Sequence, residues 1–221
     1  NGMGKSTIIQ SAAAIYKPPT GATGYFASTF FPDTAWEELS EIEIKGSVKE
    51  GTTSKVVSVR KSTTRWRGNE TRRERLVRFL DLKRILPIYS KTGYSRLAKR
   101  QLTEATSELF DNTSLERLSS IVGKTYTLAK QSTTNVDATR KVPVLQTDGT
   151  EYSGFHQGAG ETTITELLSL DIPNYSIVLI DEIETSLHPR AQRRLIRDLA
   201  EISRLKHVQF IVTTHSPYIL D

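Results

Sequence analysis

The stretch Tyr175-Ser-Ile-Val-Leu-Ile-Asp-Glu-Ile-Glu-Thr-Ser-Leu-His-Pro189 decides the fold class of this chain. Ile177 to Ile180 form a continuous apolar run, which a parallel strand covered on both faces requires. Asp181 and Glu182 follow at the carboxyl edge, where open α/β sheets bind their ligands. There Asp181 can hold Mg²⁺, and Glu182 can orient or deprotonate the water that attacks a γ-phosphate. A strand that ends in a solvated acidic turn has the same pattern, so other motifs must separate the two interpretations.

The chain opens with Asn-Gly-Met-Gly-Lys-Ser-Thr, the second half of the phosphate loop G-x-x-x-x-G-K-[ST]. The glycines let backbone N–H groups close round the phosphates, and the helix that follows presents its positive end. Lys5 supplies a point charge to the β and γ oxygens, and Ser6 offers a hydroxyl to Mg²⁺. A glycine turn that caps an ordinary helix is the alternative. We expect these residues to bind the nucleotide: Asn1, Gly2, Gly4, Lys5, Ser6 and Thr7.

A third motif, Ile211-Val-Thr-Thr-His-Ser-Pro217, is another apolar strand that ends in a polar turn. The interval between Asp181 and His215 is long enough for one crossover helix and one further strand. We therefore expect His215 at the same sheet edge, where it can sense the γ-phosphate.

The segment Gln157-Gly-Ala-Gly-Glu161 precedes a predicted helix that begins at Glu161. Gly158 and Gly160 leave backbone N–H groups bare at that helix start, which can receive an anion. A plain glycine turn that caps a helix is again the alternative. We expect the four residues Gly158, Ala159, Gly160 and Glu161 to contact a nucleotide.

Together these segments resemble the ATP-binding-cassette (ABC) type of ATPase head of SMC-like DNA-repair proteins. They resemble more closely the OLD (overcoming lysogenization defect) family and related antiphage-defence AAA ATPases. Residues 180–189 and 213–217 carry the closer likeness, because the family's D-loop contains Leu-His-Pro and its switch histidine follows two threonines. The likeness covers residues 1–17 and about 155–221. It implies ATP and Mg²⁺ as cofactors.

The resemblance also implies a homodimer round two nucleotides, or a larger oligomer. Residues 158–161 of one protomer would then contact the γ-phosphate held by the other, and His188 would lie at the dimer interface or cap a helix. Two features depart from the family. Gly158 replaces the usual serine of the signature loop, which removes one hydroxyl contact. Neither Gln10 nor Gln101 fits the glutamine loop that adds a ligand to Mg²⁺.

Length and composition bound these interpretations. The 221 residues can bury a substantial core, and we expect the chain to be part of a longer protein, because it starts inside a phosphate loop. It has no cysteine, which excludes disulfides and thiolate metal sites and suits a cytoplasmic protein. Its four histidines have no zinc spacing, and no apolar run approaches the roughly 18 residues of a membrane span.

Charge is distributed unevenly along the chain. Residues 45–141 contain 22 Lys and Arg against 9 Asp and Glu, a balance of +13. The other residues contain 8 against 16, a balance of −8, and the two sums give the net +5. We interpret the middle region as a basic insertion on an acidic nucleotide-binding core, a footprint suited to nucleic acid or to an acidic partner.

The sequence pattern of residues 39–60, which overlap the start of this middle region, predicts three strands of an antiparallel sheet. Arg65-Trp66-Arg67 either contacts nucleic acid or covers a small core. We predict helices over residues 70–86 and 94–110, and a short one over 115–121. Four arginines of the first helix form a candidate nucleic-acid surface, or only a solvated face: Arg72, Arg73, Arg75 and Arg78.

The remaining elements follow from alternation, turn residues and proline. Strands are predicted over 126–130 and 142–146, with a turn at 147–150 before a strand near Tyr152. Pro189 opens a helix that runs to Arg204.

The predicted fold is α/β, a P-loop NTPase of ABC-ATPase type with a mostly parallel core sheet, an antiparallel β subdomain and a helical insertion. Residues 1–38 and 151–221 form the nucleotide-binding core, and residues 39–150 the basic insertion, of one incomplete domain. The catalytic residues are Glu182, His215 and Lys5, and the Mg²⁺ ligands are Ser6 and Asp181.

We expect a dimerising ATPase that drives or gates work on nucleic acid, in antiphage defence or DNA repair, with a nuclease domain or partner. No nuclease motif is visible in this sequence. An ATP-stabilised scaffold or sensor that controls a toxic effector is the main alternative. A transporter subunit is a weaker one, because the basic insertion argues against a membrane partner.

Overall fold

The computed structural model describes residues 4–220, which form two compact units. The first unit comprises residues 4–80, 172–181 and 203–213, and the second comprises residues 81–171, 182–202 and 214–220. The helices are α1 Lys5–Ala14, α2 Ala27–Phe30, α3 Asn112–Val122, α4 Ala159–Leu168, α5 Pro189–Lys206 and α6 Pro217–Leu220.

Twelve strands lie within the described residues. They are β1 Tyr16–Lys17, β2 Ile42–Glu50, β3 Thr53–Lys61, β4 Trp66–Arg67, β5 Arg73–Glu74, β6 Val77–Leu80, β7 Glu104–Leu109, β8 Leu128–Thr134, β9 Asp137–Thr147, β10 Thr150–Ser153, β11 Ile177–Ile180 and β12 Gln209–Val212.

A parallel sheet forms the centre of the first unit. Its strand order is β12-β11-β6, so the apolar strand predicted from the sequence, β11, is central. All four residues of β11 are buried, as a strand covered on both faces requires. Helix α1 packs on the sheet because Ile9 and Ala13 lie in one core cluster with Val77, Ile177 and Leu179. The predicted parallel core sheet is therefore present.

The first unit also contains the antiparallel sheet β2-β3-β4. Its inner face packs on Ala14 and Ala27 through Val59, and Trp66 covers this cluster. The second interpretation of Trp66, as the cover of a small core, is thus confirmed. The prediction of three strands over residues 39–60 is wrong, because the structure has two there. Strand β2 runs without a break through the first two predicted strands, and β3 is the third.

The second unit is built on the antiparallel sheet β10-β9-β8-β7. Strands β9 and β10 are joined at the predicted turn, where Asp148 and Gly149 have φ values of 49° and 76°. Two positive φ values in succession are what a tight hairpin with a right-handed strand twist requires. Helix α3 is tied to α5 by Arg117, whose guanidinium donates two hydrogen bonds of 2.8 Å to Asp198.

Two helix predictions in the basic middle region are wrong. Residues 70–86 contain β5, β6 and short 3₁₀ turns, and residues 94–110 contain the 3₁₀ turn Ser95–Leu97 followed by β7. The arginines of the first stretch therefore share no helical face. Strand β6 lies in the core sheet, although the sequence places its residues in the insertion. Among residues 4–220, no helix has the length and hydropathy that crossing a membrane requires.

Candidate nucleotide-binding site

The start of α1 has the backbone geometry of an anion-binding helix terminus. Gly4 precedes the helix with φ 71°, a left-handed conformation that glycine adopts without strain. The first turn contains Lys5, Ser6 and Thr7, and this helix start has no acidic residue in that turn and no side-chain cap. The orphan N–H groups of such a turn, with the positive end of the helix dipole, favour phosphate. Asn1 and Gly2 lie outside the described residues.

The structure brings Ser6 and Asp181 together, although 175 positions separate them in the sequence. The Ser6 hydroxyl donates a hydrogen bond of 2.8 Å to Asp181 Oδ2. On its other side, Asp181 Oδ1 accepts the Thr213 hydroxyl at 2.5 Å. Asp181 and Thr213 follow the last paired residues of two neighbouring parallel strands, β11 and β12, so strand register sets this contact.

This cluster fits the chemistry of Mg²⁺. A hydroxyl and a carboxylate are hard oxygen donors, and Mg²⁺ is usually bound by one or two carboxylates together with water and substrate phosphates. Asp181 is 5% exposed, and its partners fix the carboxylate in one orientation. No group of three His, Cys, Asp or Glu within residues 4–220 could by itself hold a metal ion, so phosphate would have to supply further ligands.

In the second unit, Glu182 has an unusual backbone. Its φ is 46°, a left-handed conformation that costs a residue with a Cβ about 1–2 kcal/mol. The Glu182 carbonyl accepts a 2.6 Å hydrogen bond from Arg84 Nη2 and a 3.0 Å bond from the Thr185 N–H. Its carboxylate accepts the Thr185 hydroxyl at 3.4 Å. The residue after Asp181 is thus held in a strained turn by specific donors.

Arg84 is a buried cation that no sequence pattern indicates. Its side chain is 7% exposed, and its guanidinium also donates to the Asp81 carbonyl at 3.0 Å. An arginine among many in a basic stretch gives no signal of burial. Arg84 therefore emerges only from the structure, as a residue that positions the backbone of Glu182.

The structure places His215 in the second unit with an exposed side chain. Its backbone N–H donates a 2.5 Å hydrogen bond to Glu184 Oε1. The next residue, Ser216, is buried, and its hydroxyl donates to Gln192 Oε1 at 2.5 Å. These bonds anchor the backbone of the turn and leave the imidazole accessible. Contact between His215 and a γ-phosphate stays a prediction.

The glycine segment before α4 is held by the side chain of Glu161. Gly158 is the N-cap, and its N–H donates to Glu161 Oε2 at 3.1 Å. The other carboxylate oxygen, Oε1, accepts bonds from the hydroxyls of Tyr126 at 2.6 Å and Tyr152 at 2.8 Å. It also accepts a 3.3 Å bond from Lys124 Nζ.

Burial works to raise the pKa of Glu161, but the hydrogen bonds from Tyr126, Tyr152, Gly158 and Lys124 outweigh it, so the pKa is lowered. Burial and the neighbouring Glu161 raise the pKa of Tyr126. Gly160 lies so close to the loop before α5 that an added Cβ would be 3.0 Å from the Ser186 carbonyl oxygen. Glu161 thus shapes this helix start, and a nucleotide contact by residues 158–161 stays a prediction.

His188 lies just before α5. Its Nδ1 accepts the Arg190 N–H at 3.3 Å, the bond of a helix-capping side chain. Pro189 is the first residue of α5, as predicted, where its missing N–H has no intrahelical partner to lose. The capping interpretation of His188 is therefore supported.

Comparison with known proteins gives partial matches, among them one family and two curated relatives. Residues 162–221 match the family described as "AAA domain, putative AbiEii toxin, Type IV TA system". The "Retron Vc95 probable ATPase" of Vibrio cholerae serotype O1 biovar El Tor is 37% identical over 87 residues, 33% of this chain and 16% of that protein. The "Retron Ec83 probable ATPase" of Escherichia coli is 54% identical over 43 residues, 20% of this chain and 8% of that protein.

These matches support an AAA-type ATPase. The AAA-type match contains Asp181, Glu182, Thr213 and His215, so it covers the acidic strand end and the histidine turn. The match begins at residue 162, so it covers neither the phosphate loop nor residues 158–161. The chain spans at most 16% of the length of the two curated relatives. The chain is therefore similar to an AAA-type domain over residues 162–221, its ATPase activity is a proposal, and the closer likeness to the OLD family stays a prediction.

Proposed function

We propose that this protein binds and hydrolyses ATP with Mg²⁺. The hydrogen bond between Ser6 and Asp181 is the observation that carries the proposal, because it joins the phosphate-loop hydroxyl to the carboxylate at the end of the central strand. The mixed α/β fold with a parallel sheet fits a P-loop NTPase. The AAA-type match supports the same activity.

The chain's residues divide the work of the reaction. Lys5 and the N–H groups of the first turn of α1, with Thr7, bind the β- and γ-phosphates. Ser6 and Asp181 hold the cation, and when bound it neutralises charge on the phosphate oxygens.

Glu182, adjacent to Asp181 in sequence, orients the attacking water and accepts its proton. Its strained, fixed backbone suits such a role, since strained residues cluster at functional sites. His215 senses the γ-phosphate through its exposed imidazole.

We further propose that two protomers close round two nucleotides, or assemble into a larger oligomer. Residues 158–161 of one protomer then contact the γ-phosphate held by the other, and Ala159 and Gly160 offer the backbone N–H groups, because the Gly158 N–H donates to Glu161 Oε2. The start of α4 supports this role, because the N–H groups of its first turn lie at the positive end of a helix of ten residues. Hydrolysis would open the assembly.

The cycle would drive or gate work on nucleic acid in the cytoplasm, in antiphage defence or DNA repair with a nuclease domain or partner. The descriptions of the matched family and of the two relatives, a putative toxin of a toxin–antitoxin system and two probable retron ATPases, favour the defence context. The same descriptions favour a second candidate: an ATP-stabilised scaffold with little turnover that controls a toxic effector.

ATP turnover with and without duplex DNA, measured for the wild-type protein and Glu182→Gln, tests these functions. Loss of turnover in the variant, with DNA stimulation of the wild type, supports the nucleic-acid-coupled ATPase. Slow turnover that ignores DNA, with ATP still bound, supports the scaffold. Absence of ATP binding by the wild type contradicts both.

A further inference from the structure

A basic cleft of about 800 Å³ lies in the first unit, and it is lined by Lys17 and by residues from the range 55–74. Two acids line it, Glu70 and Glu74. Against these two acids, six cationic residues leave an excess of four positive charges. The six cations are Lys17, Lys55, Arg60, Arg67, Arg72 and Arg73.

Three of the six cations have structural partners. Arg72 is buried and donates to the carbonyls of Ala14, Tyr16, Tyr25 and Asn69. Lys17 Nζ lies 3.8 Å from Glu74 Oε2, and Arg73 Nη2 lies 2.7 Å from Glu50 Oε2. These side chains are used within the fold, and they leave Lys55, Arg60 and Arg67 to act on a ligand.

Lys55, Arg60 and Arg67 are exposed, and none has an ion-pair partner among residues 4–220. The nearest acid by strand register, Glu43, is paired with Arg60 in the sheet, but its carboxylate accepts the Ser58 hydroxyl at 2.5 Å. Glu43 thus offsets one positive charge on this face of the sheet, and Arg60 and Arg67 together exceed it by one within the described part of the protein.

Arg60 and Arg67 lie directly opposite each other on β3 and β4. Like charges in directly opposed positions destabilise an antiparallel pair, so the free protein maintains an unfavourable arrangement. Gly68 follows Arg67 with φ 92°, and only glycine fits there, because a Cβ would be 2.3 Å from the Ser58 carbonyl oxygen of β3. A phosphate bound between the two guanidinium groups would remove the repulsion.

The spacing of the cations indicates a polymer rather than a small anion. Side chains alternate along a strand, so Arg60 and Arg67 share the outer face of this sheet, and Lys55, five residues from Arg60, leaves the other face near the start of β3. Neighbouring strands lie about 4.8 Å apart, so a face that crosses three strands is about 10 Å wide, a length over which one nucleic-acid strand presents about three phosphates. Lys45, the register partner of Ser58 on β2, extends the basic face across all three strands.

The lining contains no aromatic side chain, and Val56 is its only aliphatic one. Bases therefore have no platform on which to stack, and a protein partner has no apolar anchor. We infer that this cleft binds the phosphate backbone of a nucleic-acid strand without reading its sequence. The inference rests on the proposed work on nucleic acid, but binding can be measured without ATP, so the two can fail separately.

The test is fluorescence anisotropy of a labelled 20-nucleotide DNA strand and its duplex, without nucleotide, at several salt concentrations. The cleft variant is Arg60→Glu/Arg67→Glu. The control is Lys99→Glu/Arg100→Glu, which makes the same charge change at two exposed cations outside the cleft. All four side chains are exposed, so circular dichroism should show both variants folded.

We expect the cleft variant to bind at least tenfold more weakly at low salt. Its slope of log affinity against log salt should shrink by about 1.8 for the duplex or 1.4 for the single strand, as the loss of two phosphate contacts requires. The control should stay within about twofold of the wild type. Equal losses in both variants would show only an effect of net charge and would overturn the inference. So would equal binding by cleft variant and wild type, a wild type that binds no nucleic acid, or competition by polyglutamate as strong as by DNA.

Discussion

Replacement of Thr213 by valine tests whether Asp181 is oriented by its neighbours. Thr213 and Asp181 are 9% and 5% exposed, and the hydroxyl donates to the carboxylate at 2.5 Å. Valine has nearly the same shape, so the change removes the hydrogen bond without opening a cavity. A hydrogen bond to a charged group contributes about 1.5–3 kcal/mol, and we expect the free energy of unfolding to fall by that amount.

The same substitution should weaken Mg²⁺ binding. A carboxylate that loses an orienting partner holds its metal about 10–100-fold less tightly. Titration of Mg²⁺ into the protein with a fluorescent ATP analogue measures this affinity, and urea unfolding followed by circular dichroism measures stability. Thr213→Ser is the matched control, because it keeps the hydroxyl and should resemble the wild type in both assays.

The reasoning fails if Thr213→Val unfolds within about 0.5 kcal/mol of Thr213→Ser and binds Mg²⁺ equally well, since a hydrogen bond to a buried carboxylate should exceed that difference. A loss of stability with unchanged Mg²⁺ affinity would assign the bond to the fold alone. It would then show that Asp181 does not need Thr213 as an orienting partner to bind the cation.

Three further substitutions test other parts of the structure. Glu182→Gln should keep ATP bound and lower turnover about 10²–10⁴-fold, measured by phosphate release, because the proposed base loses its charge; unchanged turnover would exclude Glu182 as the base. Arg72→Met should lower the free energy of unfolding by about 1–3 kcal/mol, because it leaves a buried carbonyl without a donor; wild-type stability in urea would contradict this role. Tyr126→Phe should lower stability by about 1.5–3 kcal/mol at pH 7, because Glu161 loses one of its donors. Because the pKa of Glu161 is lowered in the folded protein, its carboxylate stabilises the fold fully above its unfolded-state pKa, and this stabilisation is lost as the pH falls through its folded-state pKa. The difference in stability between Tyr126→Phe and the wild type should therefore vanish in acid. A difference that persists at pH 2 would show that packing, not the carboxylate, causes the effect.

The sequence determined the elements whose signals are local. The apolar run before Asp181 gave a buried strand, Pro189 marked the start of α5, and the Asp-Gly dipeptide marked the hairpin between β9 and β10. Each signal depends on the chain's own period or on the φ values of one or two residues. The Ser6 hydroxyl and the Asp181 carboxylate predicted a shared cation site, which stays a proposal, and the structure brings these two side chains into contact.

Only the tertiary structure decided which segments pair with which. Val77-Arg-Phe-Leu80 precedes an acid as β11 does, but Arg78 interrupts its apolar run, and the surrounding arginines and leucines imitate a helical period. Its pairing with β11 is a long-range contact that no local pattern encodes. Burial separates the arginines in the same way. Arg72 and Arg84 bind carbonyls inside the protein, whereas Arg60 and Arg67 are exposed on strands that place them opposite each other.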